Sequence, residues 1–286
     1  MAIDPDKVLA YRIPDKHQDY AVKDTILYAL GLGLGADPMD KDQLKYVYED
    51  GLKALPTMAV VLGYHGFWIK DAGLGIDWKK ILHGEQAIEI HKPIPPAGKV
   101  IGKLKVTALI DKGPKTGALM YSTREVFDQA SGDKIATLTQ ATVARGDGGF
   151  GGASGPVPEP HQVPERAPDL AVDLKTLPQA ALIYRLSGDY NPLHADPEVA
   201  KVGGFKQPIL HGLCTYGVVG HALLKGIAGY DAARFKRMQG RFTSPVYPGE
   251  TIRTEIWREG GGKASFRASV VERGVVVINN GLAVIA

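Results

Sequence analysis

The sequence predicts an α+β protein in which one fold is present twice, each copy laying a long helix on an antiparallel sheet. Three observations carry that expectation. The apolar pattern LPTMAVVLGYHGF, opened by Pro56, recurs as QPILHGLCTYGVVGHALL from Pro208, an offset of 208 − 56 = 152. KPIPPAGKV, with Pro93, recurs at the same offset as SPVYPGETI, with Pro245. Between the copies lies GGFGGASGPVPEPHQVPERAP, Gly148 to Pro168, whose five Gly and five Pro in 21 residues deny it both helix and ladder. The expected organisation is a first repeat over 1–147, a linker over 148–168 and a second repeat over 169–286.

Each copy begins with a short helix: ILYALG, Ile26 to Gly31, parallels IYRLSG, Ile183 to Gly188. A second helix follows in each, with Pro in its first turn, where the missing N–H costs nothing. Next come alternating segments: VIGKLKVTALIDKG, then ALMYSTREVFDQASGDKIATLTQATVAR, and in the second half TIRTEIWREGGGKASFRASVVERGVVVINNGLAVIA. Their period of two and Gly-containing turns predict hairpins with one solvated face. Two such sheets can pair edge to edge and so hide two exposed edges.

Composition narrows the function. A chain of 286 residues that is 44% apolar can bury sizeable cores. The net charge of +3, with basic and acidic residues interspersed, argues against nucleic acid as a partner. One cysteine, Cys214, permits no internal disulfide and no thiolate zinc site, and it lies in an apolar helical stretch that suits a buried small hydrophobe. No run of 18 apolar residues and no signal-like start are present, so no membrane partner is expected and the cytoplasm is the expected location.

The string LSGDYNPLH, Leu186 to His194, gathers Asp189, Asn191 and His194 around a Gly and a Pro. Asp and Asn beside Gly and Pro form turns and caps, but the added histidine gives the bend an acid–base pair. Such a pair can take a proton from an attacking water and deliver one to a substrate atom, and chemistry that builds negative charge on an oxygen also needs a donor to hold it. A carboxylate and an imidazole suit the first two tasks, and Asn191 can orient the water or the turn. For the third, Gly212 sits early on the helix led by Pro208, where N–H groups lack partners and the dipole favours negative charge.

YRLSGDYNPLHADPEVA resembles the signature of the MaoC-like, or type 2, enoyl-CoA hydratases. DTILYALGLG, LPTMAVV and LHGEQAIEIHKPIPPAGK are similar to the first half of the double-hot-dog hydratase 2 of peroxisomal multifunctional enzymes. The resemblance implies a double hot-dog fold and reversible, (3R)-specific hydration of trans-2-enoyl-CoA. It implies Asp189 and His194 as the acid–base pair, Asn191 as the positioning residue and the Gly212 N–H as the oxyanion donor. A non-catalytic acyl-CoA-binding hot-dog protein, or a subunit that needs a partner, is the alternative. A thioesterase of this fold would need a carboxylate on the central helix, and none lies between Pro208 and Lys225.

Other candidates follow. His211 is a candidate substrate contact, with a structural role as its alternative, and His221 reads as core. Asp189, His194 and His211 are metal ligands by type, yet no HxH or HExxH pair fixes two ligands locally and the chemistry needs no Lewis acid, so neither metal nor cofactor is expected. GDGGFG lacks the following helix that a dinucleotide fingerprint needs. Arg234, Lys236, Arg237 and Arg241 are candidates for the phosphates of CoA, as are Lys112 and Lys115. In the first half GLGLGADP stands where the second has SGDYNPLH, so that copy lacks the pair; its helix, with Ala59 and Gly63, is expected to stand off the sheet and leave a tunnel for a medium, long or bulky acyl chain. A homodimer is expected.

Overall fold

Ten strands share one antiparallel sheet, and its order shows how the two repeats are joined. The computed structural model describes residues 3–70 and 72–286. The first half contains α1 (Pro5–Ala10), β1 (Lys16–Tyr20), α2 (Val22–Gly31), α3 (Lys41–Leu44), β2 (Ile81–Ile90), β3 (Gly98–Asp111), β4 (Ala118–Asp128) and β5 (Lys134–Ala144). The second contains β6 (Leu170–Lys175), α4 (Ala180–Tyr184), α5 (Pro197–Val202), α6 (Gly212–Ile227), β7 (Phe235–Phe242), β8 (Thr251–Gly260), β9 (Lys263–Val270) and β10 (Val275–Ile285).

The sheet runs β1-β3-β4-β5-β2-β7-β10-β9-β8-β6. Read outward from its centre, both halves follow the same order, as a duplicated fold should. The seam is the pairing of β2 with β7, Glu85 opposite Arg241 and Glu89 opposite Arg237, so each repeat covers an edge of the other.

The Pro-led pattern gives different outcomes in the two halves. In the second it forms α6, buried without interruption from Cys214 to Leu224. Val218, Val219, Leu223 and Leu224 are each at most 2% exposed, and each contributes about 1.5–3 kcal/mol by burial. In the first half the expected long helix is only a 3₁₀ turn, Pro56–Val60. Gly63 ends it in the left-handed region, φ 57, and backs directly onto β3: a Cβ there would lie 2.6 Å from the Cα of Gly102. The carbonyls that a longer helix would have bonded internally are taken up by Arg124 of β4, whose Nη2 donates to the oxygens of Val60 at 2.6 Å and Ala59 at 3.4 Å.

The Gly/Pro segment forms neither helix nor strand from Gly148 to Pro168. It is fastened by polar contacts: the Asp111 carboxylate accepts the N–H groups of Gly149 and Gly151, Asn280 Nδ2 donates to the His161 carbonyl, and Trp257 Nε1 donates to the Arg166 carbonyl. Among the described residues no helix is long and apolar enough to cross a membrane.

Candidate active site

Gly188 makes the bend that aims the string. Its φ of 116 is a conformation L side chains rarely adopt, and it ends the 3₁₀ turn Arg185–Ser187 so that Asp189 turns back toward α6. Asp189 Oδ1 then accepts the Asn191 N–H at 3.2 Å. Asn191 Oδ1 accepts the Leu193 N–H at 3.1 Å and caps the turn Pro192–His194. The side-chain oxygen of Asn191 is therefore engaged by the turn itself, which makes this residue a shaper of the loop.

His194 is 8% exposed, and its Nδ1 lies 2.8 Å from the Ile209 carbonyl, to which it donates. Nε2 is left with a free lone pair. Burial pushes the imidazole pKa below its ordinary value, against the opposing pull of the Ile209 bond and the Asp189 charge. His194 is thus a neutral base facing a carboxylate.

His211 holds both partners. It is 1% exposed, its ring lies against that of His194 with centroids 3.8 Å apart, and its Nε2 donates to the Asp189 carbonyl at 3.1 Å. Burial, with the neighbouring His194, lowers its pKa to about 3. Side-chain ligand atoms of Asp189, His194 and His211 all lie within 4.8 Å of one another. His194 Nδ1 and His211 Nε2 already donate to carbonyls, so at most one nitrogen of each ring is open to an ion.

Gly212 opens α6 directly after His211, so its N–H belongs to the unpartnered first turn. Its α-carbon faces Phe242, whose ring would lie 3.5 Å from a Cβ. Phe242 in turn meets His83 of β2 edge-on at 4.9 Å. His83 and Phe242 thus bring the β2–β7 seam beside the helix terminus, two contacts that sequence reading did not single out although His83 stands in the quoted LHGEQ. The Tyr184 ring packs against His211 with centroids 5.0 Å apart and planes inclined by 46°.

The remaining candidates lie elsewhere. Ala59 is wholly buried and Gly63 is closed by Gly102, so the expected tunnel does not open at either residue. A cleft of about 160 Å³ lies one step away, lined by Tyr20, Leu27, Met58, Val61 and Leu62 and reaching Gly188, next to Asp189. Arg241 pairs with Glu85 at 2.5 Å across the seam. Arg234 donates to the Ala286 and Ala228 carbonyls, Lys236 to the Ala233 carbonyl and Arg237 to Gln239. These contacts run along β7 and the turn before it, and none of the hydrogen bonds or ion pairs of the four is to Asp189, His194 or His211. Cys214 and His221 are core residues; His221 reaches the Leu32 carbonyl and the Tyr230 hydroxyl.

Residues 18–146 match the MFE-2 hydratase 2 N-terminal domain, and residues 159–281 the MaoC like domain. A Dictyostelium discoideum protein named "Probable enoyl-CoA hydratase 2" is 41% identical over 295 residues, spanning 100% of this chain and 97% of the relative. The Arabidopsis thaliana "Enoyl-CoA hydratase 2, peroxisomal" is 38% identical over 289 residues, 96% of this chain and 93% of that one. The crystal structure of a MaoC-like dehydratase from Phytophthora capsici superposes with a TM-score of 0.87 at 40% identity, covering 98% of each chain. The chain belongs to the enoyl-CoA hydratase 2 family, in the double-hot-dog form that joins an MFE-2 hydratase 2 N-terminal domain to a MaoC like domain.

Proposed function

We propose that the protein reversibly hydrates trans-2-enoyl-CoA to (3R)-3-hydroxyacyl-CoA without metal or cofactor. The observation that carries this reading is the convergence of the Asp189 carboxylate and the neutral His194 beside the first turn of α6. Both groups are acceptors in the resting site, so one water can donate a hydrogen bond to each. As its oxygen attacks C3, one acceptor takes a proton and returns it to C2, so that the whole water is added across the double bond. Charge that develops on the thioester oxygen is stabilised by the Gly212 N–H and the positive end of α6. The (3R) outcome is what the hydratase 2 resemblance implies.

The 160 Å³ cleft, in which Tyr20, Leu27, Met58, Val61 and Leu62 form an apolar wall opposite polar residues that include Gln18, Asp19 and Asp24, suits the acyl tail on that wall and reaches Gly188, the neighbour of Asp189. It supports medium or long chains as substrates. The single cysteine is compatible with the reducing cytoplasm, which together with a homodimeric state completes the proposal. An absorbance assay of enoyl-thioester loss with crotonyl-, decenoyl- and a branched enoyl-CoA, followed by chiral analysis of the product, tests it. Turnover to the (3R) alcohol is expected; no turnover, or a (3S) product, contradicts it.

A further inference from the structure

His83, Phe242 and Gly212 mark where the thioester end of a substrate lies, and β2 measures the distance from there to the surface. Upstream of His83 the chain passes Leu82 and Ile81 and enters the 3₁₀ turn Trp78–Lys80. Three strand steps of about 3.3 Å and two 3₁₀ steps of about 2 Å put Trp78 at most roughly 14 Å away. In coenzyme A about thirteen bonds separate the thioester sulfur from the first phosphorus, and at roughly 1.15 Å of advance per bond they span about 15 Å. The arm of a bound acyl-CoA is therefore long enough for its nucleotide end to reach this turn.

The turn has the composition such an end requires. The Trp78 indole is partly buried against a small apolar cluster and has two ammonium groups over its ring, Lys70 Nζ at 5.5 Å and Lys79 Nζ at 5.6 Å from the centre, and Phe67 meets it edge-on at 5.8 Å. Lys80 is paired with Asp77 at 3.1 Å, and the Asp147 carboxylate accepts the Asp77 N–H at 3.0 Å. Lys70 and Lys79 are exposed, and among the described residues neither forms an ion pair with a carboxylate. An aromatic plane offers stacking to adenine, and ammonium groups beside it offer charge to phosphates.

The duplication supplies an internal comparison. The matching turn of the second half, Ala232–Arg234, also follows a capping aspartate, Asp231, but has Ala232 and Ala233 where the first half has Trp78 and Lys79. It borders a cleft of about 200 Å³ lined by Pro56, Pro93 and Pro96, in the half that lacks the acid–base pair. The aromatic and its cations occur only at the turn that leads to Asp189 and His194.

We propose that Trp78, Lys70 and Lys79 bind the 3′-phosphoadenosine diphosphate end of the substrate, so that the site distinguishes a nucleotide-borne thioester from the same acyl group on a shorter pantetheine. The proposal rests on the hydratase reading of the site. It is tested by comparing crotonyl-CoA with crotonyl-pantetheine on the parent, the Lys70→Gln/Lys79→Gln variant and Trp78→Leu, and by titrating each with adenosine 3′,5′-diphosphate in a calorimeter. The lysine variant should raise KM for crotonyl-CoA about tenfold, leave kcat and both constants for crotonyl-pantetheine within about twofold, and weaken nucleotide binding about tenfold. Equal changes on the two thioesters, an unchanged KM for crotonyl-CoA, or a nucleotide that does not bind the parent overturn the proposal. The last result is the one expected if the patch docks an acidic carrier protein instead. Calorimetry needs no turnover, so an enzyme inactive on both thioesters would contradict the hydratase reading while the nucleotide titration still decides the patch.

Discussion

His211 lies flat against His194, ring centroids 3.8 Å apart, while its Nε2 holds the Asp189 carbonyl at 3.1 Å. One side chain at the start of α6 therefore fixes both members of the acid–base pair, although it is not itself placed to act on the water. His211→Phe keeps a ring against His194 but loses the bond to Asp189. Its kcat should fall roughly tenfold, the upper range of one net hydrogen bond, with KM little changed. Steady-state kinetics on crotonyl-CoA check this, and a change confined to KM would make His211 a substrate contact instead.

Buried neutral histidines make the fold acid-sensitive. Burial lowers the pKa of His211 to about 3 and of His83 and His221 to about 4, from 6.5. Between those values the unfolded chain takes up protons that the folded chain refuses, so stability is full above about pH 6.5 and is lost as the pH falls toward 4. Urea midpoints measured at about pH 8, 6 and 5 should fall in that order, and a flat profile contradicts the assignment.

Acyl length should be read by the cleft at Leu27 and Leu62. Each buried methylene contributes up to about 0.8 kcal/mol, so even part of that over six carbons gives decenoyl-CoA a higher kcat/KM than crotonyl-CoA. Leu27→Trp, at a partly exposed position that lines the cleft, should reduce the longer substrate by more than about tenfold and the shorter by less than about twofold. Equal losses would place the tail elsewhere. Gly63→Leu gives no such discrimination, because its Cβ would strike the Gly102 backbone; a reduced unfolding midpoint is the expected result.

Much of the architecture was legible in the sequence, for local reasons. The two proline landmarks stand at equivalent places in both repeats, and Asp189 and Asn191 are turn formers beside Gly188 and Pro192, in a bend that also carries His194. What was not legible depends on long-range register. Nothing in the string near Leu82 shows that His83 will meet Phe242, since that contact needs β2 and β7 to pair. Nor does LPTMAVVLGYHGF reveal that its helix stops after Val60, because the stop depends on Gly102 of β3 and on Arg124 of β4, both distant in sequence. The candidate cations Arg234, Lys236, Arg237 and Arg241 followed from composition, and their contacts with Ala286, Ala233, Gln239 and Glu85 depend on how β7 pairs with its neighbours.

Prolonged chelation should leave activity unchanged, since an acid–base pair acting on one water needs no Lewis acid. Loss of turnover with recovery on added zinc or manganese would instead make Asp189, His194 and His211 ligands.

The central claim is that Asp189 and His194 act together on one water. The most direct measurement is kcat for crotonyl-CoA hydration by Asp189→Asn, His194→Gln and the double variant, each with its unfolding midpoint. Each single change should lower kcat by at least about 10²-fold in a folded protein, and the double variant should be little worse than either, because removing one acceptor already disables the water. Activity within about tenfold of the parent in either folded single variant, or losses that multiply in the double, would contradict the account.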